Sequence, residues 1–176
     1  MSTFILLSAI PGSGKSTWAK QYKALHPHVH VVSSDDVRKK VTGSQQDFGQ
    51  EPLVWKTFLD TINDFALKEK ECIVVADATN LENKFRRYYH DMTPAFDRHI
   101  LVVFNIPYDI CLKQNQMREA EKIVPVAAME RLHNQFEPPT EEIISLYDEY
   151  VVINKTFVSK EIAEQEAAAK RSEDEQ

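Results

Sequence analysis

One segment constrains the fold of this chain more than any other: a short apolar run, TFILLSAI, passes directly into PGSGKSTW at residues 11–18. The apolar run is typical of a buried strand, because it is short and ends at a proline–glycine pair. The residues after the glycines have helical spacing, with Trp18, Tyr22 and Leu25 on one face. A strand that turns through glycines into a helix indicates the first unit of an α/β protein.

The turn itself matches a phosphate-binding loop. The pattern G-x-x-x-x-G-K-[ST] between a strand and a helix holds phosphates through backbone N–H groups at the helix N-terminus. Gly14, Lys15 and Ser16 match its second half, and the small residue Ala9 stands at the first glycine position. We expect Lys15 to reach the β- and γ-phosphates of a nucleoside triphosphate, and the Ser16 hydroxyl to bind Mg²⁺. The predicted nucleotide-binding residues are Gly12, Ser13, Gly14, Lys15, Ser16 and Thr17.

Apolar runs alternate with helical segments along the whole chain. This order predicts an α/β sandwich of the P-loop NTPase type, with helices on both sides of a mostly parallel sheet of about five strands. The predicted strands are residues 3–10, 29–34, 72–77, 98–106 and 150–154, and the predicted helices are residues 15–26, 35–41, 51–70, 81–92, 109–122, 125–136 and 140–147. The helix over 51–70 should bury the face formed by Leu53, Trp55, Phe58, Leu59, Ile62, Phe65 and Ala66.

The composition limits the partners only weakly. The chain of 176 residues has a net charge of −6, but its last eighteen residues carry six acidic and three basic side chains, so the rest is only mildly acidic. This balance neither requires nor excludes a nucleic-acid partner. Cys72 and Cys111 lie in apolar or helical segments, which favours buried thiols over a disulfide. Without a signal pattern or an apolar run of membrane length, the sequence predicts a cytoplasmic protein.

Polar residues follow the predicted strands at their carboxyl ends, where parallel α/β sheets bind their ligands. In SSDDVR, after the second strand, Asp35 is placed to accept a proton from an attacking hydroxyl. Arg38 lies three residues later on the same helical face, where it is placed to bind an anionic group of the acceptor. This pair favours a kinase over a switch-type GTPase, whose N-K-x-D motif is broken by Phe157 in INKTF. The alternative is that Asp35 and Asp36 cap the helix, and one aspartate can cap while the other acts in catalysis.

The third predicted strand ends in DATNL and adds polar side chains to the same edge of the sheet. Asp77 matches the aspartate that completes the Mg²⁺ site of P-loop proteins, and Thr79 and Asn80 are placed to face the acceptor. The alternative is that Asp77 caps the next helix and holds the loop. Further along, FRRYYH at residues 85–90 interleaves arginines with aromatic residues, which suits either phosphate contact with base stacking or a solvated helix face.

Four segments together resemble a known family. PGSGKSTWA, DDVR, DATNL and the later MREAEKIVP are similar, in order and spacing, to the kinase domain of phage-type polynucleotide 5′-kinases, which are small P-loop kinases. The resemblance runs over about residues 3–155. It implies ATP as the phosphoryl donor with Mg²⁺, Asp35 as the general base toward a 5′-hydroxyl, and Arg38 as the ligand of the acceptor's 3′-phosphate. It also implies that Arg118, in a lid at about residues 117–125, grips the donor phosphates.

We therefore expect residues 1–158 to form a P-loop kinase domain and residues 159–176 to form an acidic C-terminal helix or tail. The expected reaction is transfer of the γ-phosphoryl group of ATP to a hydroxyl, in the first place the 5′-OH end of a nucleic acid. Two alternatives stay open: a kinase of small molecules or nucleotide sugars with the same fold, and an ATP-binding regulatory module that transfers nothing. The expected catalytic residues are Lys15, Asp35, Arg38 and Arg118, and the expected acceptor-binding residues are Arg38, Asp77, Thr79 and Asn80.

Overall fold

Five strands and seven α-helices make up the described part of the chain, which in this computed structural model comprises residues 1–154 and residue 171. The strands are β1 (Thr3–Ser8), β2 (Val29–Ser33), β3 (Ile73–Asp77), β4 (Arg98–Phe104) and β5 (Glu149–Ile153). The helices are α1 (Lys15–Leu25), α2 (Ser34–Thr42), α3 (Glu51–Lys68), α4 (Asn83–Asp91), α5 (Tyr108–Gln116), α6 (Val126–Gln135) and α7 (Glu141–Leu146), with a 3₁₀ turn at Ala120–Lys122.

The strands form one sheet in the order β2-β3-β1-β4-β5, and every neighbouring pair is parallel. The predicted P-loop NTPase-type α/β fold is therefore confirmed. The predicted helix over 109–122 is wrong beyond Gln116, where α5 ends. There Asn115 donates from Nδ2 to the Val124 carbonyl at 2.7 Å and accepts from the Val124 amide at 3.0 Å, which folds the chain back. The acidic tail predicted over 159–176 lies outside the described residues, apart from residue 171.

Alternate residues of the strands pack on opposite faces of the sheet, as expected for a sheet covered by helices on both sides. On one face, Phe4 and Leu101 pack with Phe58 of α3. On the other face, Leu7 and Met129 belong to the cluster that includes α1, α5 and α6. Both faces of β1 are thus buried, and the strand that leads into the glycine loop is fixed in the centre of the molecule.

Helix α3 buries a face slightly different from the one predicted. Leu53, expected in the core, is 49% exposed, whereas its neighbour Val54 is fully buried. Val54, Phe58 and Ile62 follow each other at intervals of four residues along one line of the helix, and they pack in the same core cluster. The core face is therefore centred on that line, and Leu53 lies beside it.

Arg86 on α4 is completely buried. It donates from Nε and Nη2 to the Ser8 hydroxyl at 3.2 and 3.0 Å, from Nη2 to the Leu81 carbonyl at 3.1 Å, and from Nη1 to the Glu137 carbonyl at 2.7 Å. A further bond from Nη1 reaches the side chain of Asn83 at 2.8 Å. Burial lowers the pKa of this guanidinium, but its hydrogen bonds satisfy the cation without a carboxylate. Neither sequence interpretation of FRRYYH anticipated this role, which ties the end of β1 to the loop before α4 and to the loop between α6 and α7.

The two cysteines lie as the sequence predicts. Cys72 and Cys111 are free and buried, as predicted. Burial raises the pKa of the Cys111 thiol to about 11. Among the described residues, no helix is both long and apolar enough to cross a membrane.

Candidate functional site

A cleft of about 310 Å³ opens at the carboxyl edge of the sheet, where β1, β2 and β3 end. One wall is the glycine loop between β1 and α1, which we call the P-loop (residues 9–17). The opposite wall includes the start of α2, and the roof is formed by the end of α5 and the segment 117–122. The cleft therefore lies where parallel α/β sheets bind their ligands.

The P-loop has the backbone of an anion site. Gly12 and Gly14 have φ values of 83° and 91°, in the left-handed region that glycine tolerates best. A Cβ atom at residue 12 would lie 2.2 Å from the carbonyl oxygen of Cys111, so the close approach of α5 also requires glycine. Gly14 is the N-cap of α1, and no described side chain caps that helix. The amide N–H groups of its first turn are thus left for an anion.

Lys15, Ser16 and Asp77 meet at the base of the cleft. The Ser16 hydroxyl donates to Asp77 Oδ2 at 2.8 Å, and Lys15 Nζ lies 3.9 Å from Asp77 Oδ1. The capping alternative for Asp77 is wrong, because the N-cap of α4 is Glu82. The carboxylate of Asp77 is instead directed to the P-loop.

This group of side chains fits Mg²⁺. A hydroxyl and a carboxylate oxygen are ligands that Mg²⁺ prefers, and this ion usually takes only one or two protein ligands beside water and phosphate oxygens. No group of three or more His, Cys, Asp or Glu side chains suited to a metal occurs within the described residues. Ser16 and Asp77 supply the hydroxyl and the carboxylate that suit Mg²⁺, and the Lys15 cation beside them suits a phosphate.

Asp35 lies across the cleft, in the first turn of α2. Its Oδ1 accepts from Arg38 Nη1 at 3.0 Å, and Arg118 Nη2 lies 3.9 Å from its Oδ2. The N-cap of α2 is Ser33, whose hydroxyl accepts from the Asp36 amide at 3.4 Å. The side chains of Asp35 and Asp36 are thus both free of the capping role considered from the sequence, and both line the cleft.

Arg38 was predicted to bind an acceptor phosphate, but the structure engages it with protein groups. It is 5% exposed and is not part of the cleft wall. Its Nε and Nη2 donate to the two carboxylate oxygens of Glu51 at 2.7 and 3.1 Å, and the ring of Phe48 covers its guanidinium at 4.6 Å. Burial lowers the pKa of Arg38, but the hydrogen bond and charge of Glu51, together with Asp35, outweigh this effect and raise it. Arg38 therefore positions Asp35, and its bidentate edge is occupied by Glu51.

Arg118 lies just after α5, and its side chain is directed toward Asp35. The chain that follows it is attached to the α2 side of the cleft. Lys39 Nζ is 3.6 Å from a carboxylate oxygen of Glu121, and Gln46 Nε2 donates to the Glu121 carbonyl at 2.6 Å. The start of the predicted lid thus lines the cleft and is joined to the α2 side of it.

Thr79 and Asn80 are not brought to the cleft. Asn80 is buried, adopts a positive φ of 45° and donates from Nδ2 to the Leu7 carbonyl at 2.9 Å. The Thr79 carbonyl accepts from the Ala9 amide at 2.9 Å. These residues hold the junction of β1 and the P-loop, so the structure gives them a supporting position instead of the expected contact with an acceptor.

Two glutamines of the cleft wall are absent from the predicted site residues. Gln45 and Gln114 line the cleft and are each 6% exposed, yet Gln45 Oε1 and Gln114 Nε2 have no hydrogen-bond partner. Ser13 Oγ in the P-loop is also buried without a partner. Buried polar atoms are nearly always paired, so the two glutamines are places in the cleft wall where a ligand group would complete a hydrogen bond. No pattern in the sequence distinguishes these glutamines from surface ones.

Comparison with known proteins gives one family match and many structural matches. The model of the AAA domain family AAA_33 matches residues 5–139 of the chain. A gluconokinase from Sinorhizobium meliloti 1021 matches with a TM-score of 0.57 and 16% identity over 86% of this chain and 82% of that one. Kti12 from Chaetomium thermophilum, in complex with ADP-AlF3, matches with a TM-score of 0.64 and 14% identity over 86% and 88%. A fungal RNA kinase matches with a TM-score of 0.63 and 14% identity over 91% and 77%. At such identities these structures share the fold.

Proposed function

Because the chain belongs to the AAA domain family AAA_33, we propose that it is a P-loop kinase, an enzyme that transfers the γ-phosphoryl group of ATP to a hydroxyl group. One observation carries the proposal: the Lys15–Ser16–Asp77 group and the carboxylate of Asp35 line the same cleft. The first suits the phosphates of the donor, and the second suits the proton of an acceptor. Residues 1–158 form the kinase domain in this proposal.

In the proposed reaction, the P-loop amides and Lys15 bind the β- and γ-phosphates of ATP. Asp35 accepts the proton of the acceptor hydroxyl while the hydroxyl oxygen attacks the γ-phosphorus. The bond from the γ-phosphorus to the bridging oxygen breaks, and ADP leaves. Ser16 and Asp77 would hold Mg²⁺, which would neutralise phosphate charge when bound.

Arg118 has a separate part in this proposal. Its position in the lid places a guanidinium over the cleft, where it stabilises the negative charge of the transferring phosphoryl group, as an arginine finger does. Closure of the lid also excludes water, which would otherwise compete with the acceptor. The ion pair of Arg118 with Asp35 is exchanged for the phosphoryl group when ATP and the acceptor are bound.

For the acceptor, we propose the 5′-OH end of a nucleic acid. One support is the resemblance of the motifs. The other is the 3.0 Å contact between Asp35, the proposed general base, and Arg38, a type of side chain that binds phosphate. A phosphate of the acceptor has to displace Glu51 from Arg38 in order to bind there. Because only a few cations surround the cleft, we expect contacts with one to three phosphates instead of a long basic groove.

A small-molecule acceptor is the second candidate. It is favoured by Glu51, whose two bonds already fill the bidentate edge of Arg38. It is also favoured by the carboxylates of Asp35, Asp36 and Glu119 in the cleft wall, which repel a polyanion. A third possibility, an ATP-binding module, differs from both kinases in transferring no phosphate.

A phosphoryl-transfer screen separates these possibilities. Radiolabelled ATP is offered with 5′-OH oligonucleotides, nucleoside 3′-monophosphates, nucleosides and sugars, with Lys15→Ala as the inactive control. We expect transfer to the first two classes and poor transfer to plain nucleosides. Binding of single strands should weaken with salt, with a slope of log affinity no steeper than about −2. Equal transfer to nucleosides or sugars would replace the nucleic-acid proposal by the small-molecule one, and no transfer at all would favour the binding module.

A further inference from the structure

An exposed aromatic ring lies close to the proposed base. Phe48, in the loop between α2 and α3, is 60% exposed. One face of its ring covers the guanidinium of Arg38, whose centre is 4.6 Å from the ring centroid. Arg38 in turn donates to Asp35 at 3.0 Å, so a single side chain separates the ring from the proposed base.

The loop that carries Phe48 is held by its own hydrogen bonds. The Ser44 amide donates to the Thr42 hydroxyl at 3.2 Å, and the Gly49 amide donates to Asp47 Oδ1 at 2.9 Å. Gln46 joins the loop to the lid through its bond to the Glu121 carbonyl. The ring is therefore presented on a fixed support, which lowers the entropy cost of stacking a ligand on it.

The same loop carries an unpaired polar atom on a side chain that lines the cleft. Gln45 is more than nine-tenths buried, lines the cleft with Asp35, and leaves its Oε1 without a partner. A buried amide oxygen without a donor is costly, so it indicates an N–H or O–H group of a ligand at this place. An exposed ring face and an acceptor atom that lacks a donor, on side chains three residues apart in the sequence of one loop, together fit a molecule with a π-face and polar edges.

We propose that Phe48 and Gln45 form a subsite for the nucleobase of the acceptor's terminal nucleotide. The base stacks on the exposed face of Phe48, and an N–H group of the acceptor donates to Gln45 Oε1. This inference rests on the proposed transfer to a 5′-OH nucleic-acid end, and it adds that the first base contributes to recognition. Stacking depends little on base identity, so all four bases should be accepted.

The test compares two 5′-OH oligonucleotides that are identical except for the first residue, which either carries its base or is abasic. We expect the wild-type protein to favour the base-bearing end by about tenfold in kcat/KM, chiefly through KM. Phe48→Leu keeps an apolar cover on Arg38 and should reduce this preference to about one, whereas Phe48→Tyr should retain it. Gln45→Leu should lower kcat/KM for the base-bearing oligonucleotide several-fold and leave kcat/KM for the abasic oligonucleotide unchanged. Tyr88→Leu, which removes a 46% exposed aromatic side chain on α4, is the matched control and should keep the full preference.

The outcomes distinguish this inference from the function on which it rests. Transfer to neither oligonucleotide by the wild-type protein would overturn the nucleic-acid acceptor and the base subsite with it. Efficient transfer to both without preference would overturn the subsite alone. An equal loss on both oligonucleotides in Phe48→Leu, with an unchanged thermal unfolding temperature, would also overturn it, because Phe48 would then act only through Arg38.

Discussion

Glu51 occupies the bidentate edge of Arg38. Its replacement by glutamine tests what this contact contributes to the stability of the fold and to the binding of an acceptor phosphate. In the structure, Glu51 accepts from Arg38 Nε at 2.7 Å, from Arg38 Nη2 at 3.1 Å and from Trp55 Nε1 at 3.0 Å. In Glu51→Gln, one oxygen remains as an acceptor, and the new NH₂ group faces an N–H donor. The Arg38 cation is then left in a buried site with Asp35 as its remaining carboxylate partner.

The expected loss of stability follows from the burial of the pair. Removal of one partner from a buried ion pair costs about 3–5 kcal/mol. The Glu51 side chain is 28% exposed, so water replaces part of the lost contact, whereas Arg38 is only 5% exposed. We therefore expect the free energy of unfolding to fall by about 2–3 kcal/mol, which in a chain of this size lowers the Tm by roughly 5–10 °C. Glu142→Gln is the control, because Glu142 pairs with Arg87 on the surface and such pairs contribute about 0–1 kcal/mol.

Urea unfolding of both variants measures this difference directly. If the free energy of unfolding falls no more in Glu51→Gln than in Glu142→Gln, the reasoning is refuted. The cost of burying the Arg38 cation would then cancel the stabilisation that its ion pair with Glu51 provides. The same variant has a kinetic readout, because Glu51 and an acceptor phosphate compete for one edge of Arg38. We expect Glu51→Gln to lower the KM for a nucleoside 3′-monophosphate and to leave the KM for ATP unchanged. A raised KM for the acceptor would show that Glu51 positions Arg38 for phosphate instead of competing with it.

Further substitutions test the remaining roles. Lys15→Ala should reduce turnover at least 100-fold in a steady-state transfer assay, because it removes a charge-assisted phosphate contact, and full activity would disprove the P-loop assignment. Asp35→Asn should abolish transfer while calorimetry shows unchanged ATP binding, and Asp36→Asn should stay active; the reverse pattern would make Asp36 the base. Arg118→Ala should lower kcat by about two orders of magnitude with little change in Tm. An unchanged kcat would show that Arg118 is only a surface arginine. Arg86→Met removes the hydrogen bonds of the guanidinium to Ser8, Leu81, Asn83 and Glu137 and should cost about 3 kcal/mol in urea unfolding, so a loss below 1 kcal/mol would contradict its structural role.

The order of elements and the P-loop could be predicted because their signals are local. A short apolar run, a proline–glycine pair and a helical spacing each occupy a few neighbouring residues, and the structure confirms the five strands that they indicate. The boundary at Gln116 could not be predicted in this way. The end of α5 depends on the Asn115 side chain and its two bonds to Val124, nine residues further along the chain.

The partners of the charged side chains could not be predicted from the sequence, because they lie on other elements of the fold. Arg38 bonds to Glu51, which lies on the next helix, and the choice between Glu51 and an acceptor phosphate is made by that packing. Arg86 bonds to Ser8, 78 residues away, so its neighbours in FRRYYH do not indicate that it is buried. The apolar face of α3 shows a smaller error of the same kind, since the elements that pack against the helix bury Val54 and leave Leu53 half exposed.

The strand order also has a consequence for the synthesis of the chain. β1 is the third strand of the sheet, and it pairs Thr3 with Ile73 on one side and with Arg98 on the other. Contacts between residues so far apart in sequence make folding slow, because long segments of chain must be ordered before the contacts form. A nascent chain that ends before β3 carries the complete P-loop sequence but has neither neighbour for the strand that supports it. We therefore expect ATP binding to appear in translation intermediates only after β4 has left the ribosome, and the apolar β1 to be open to chaperones until then.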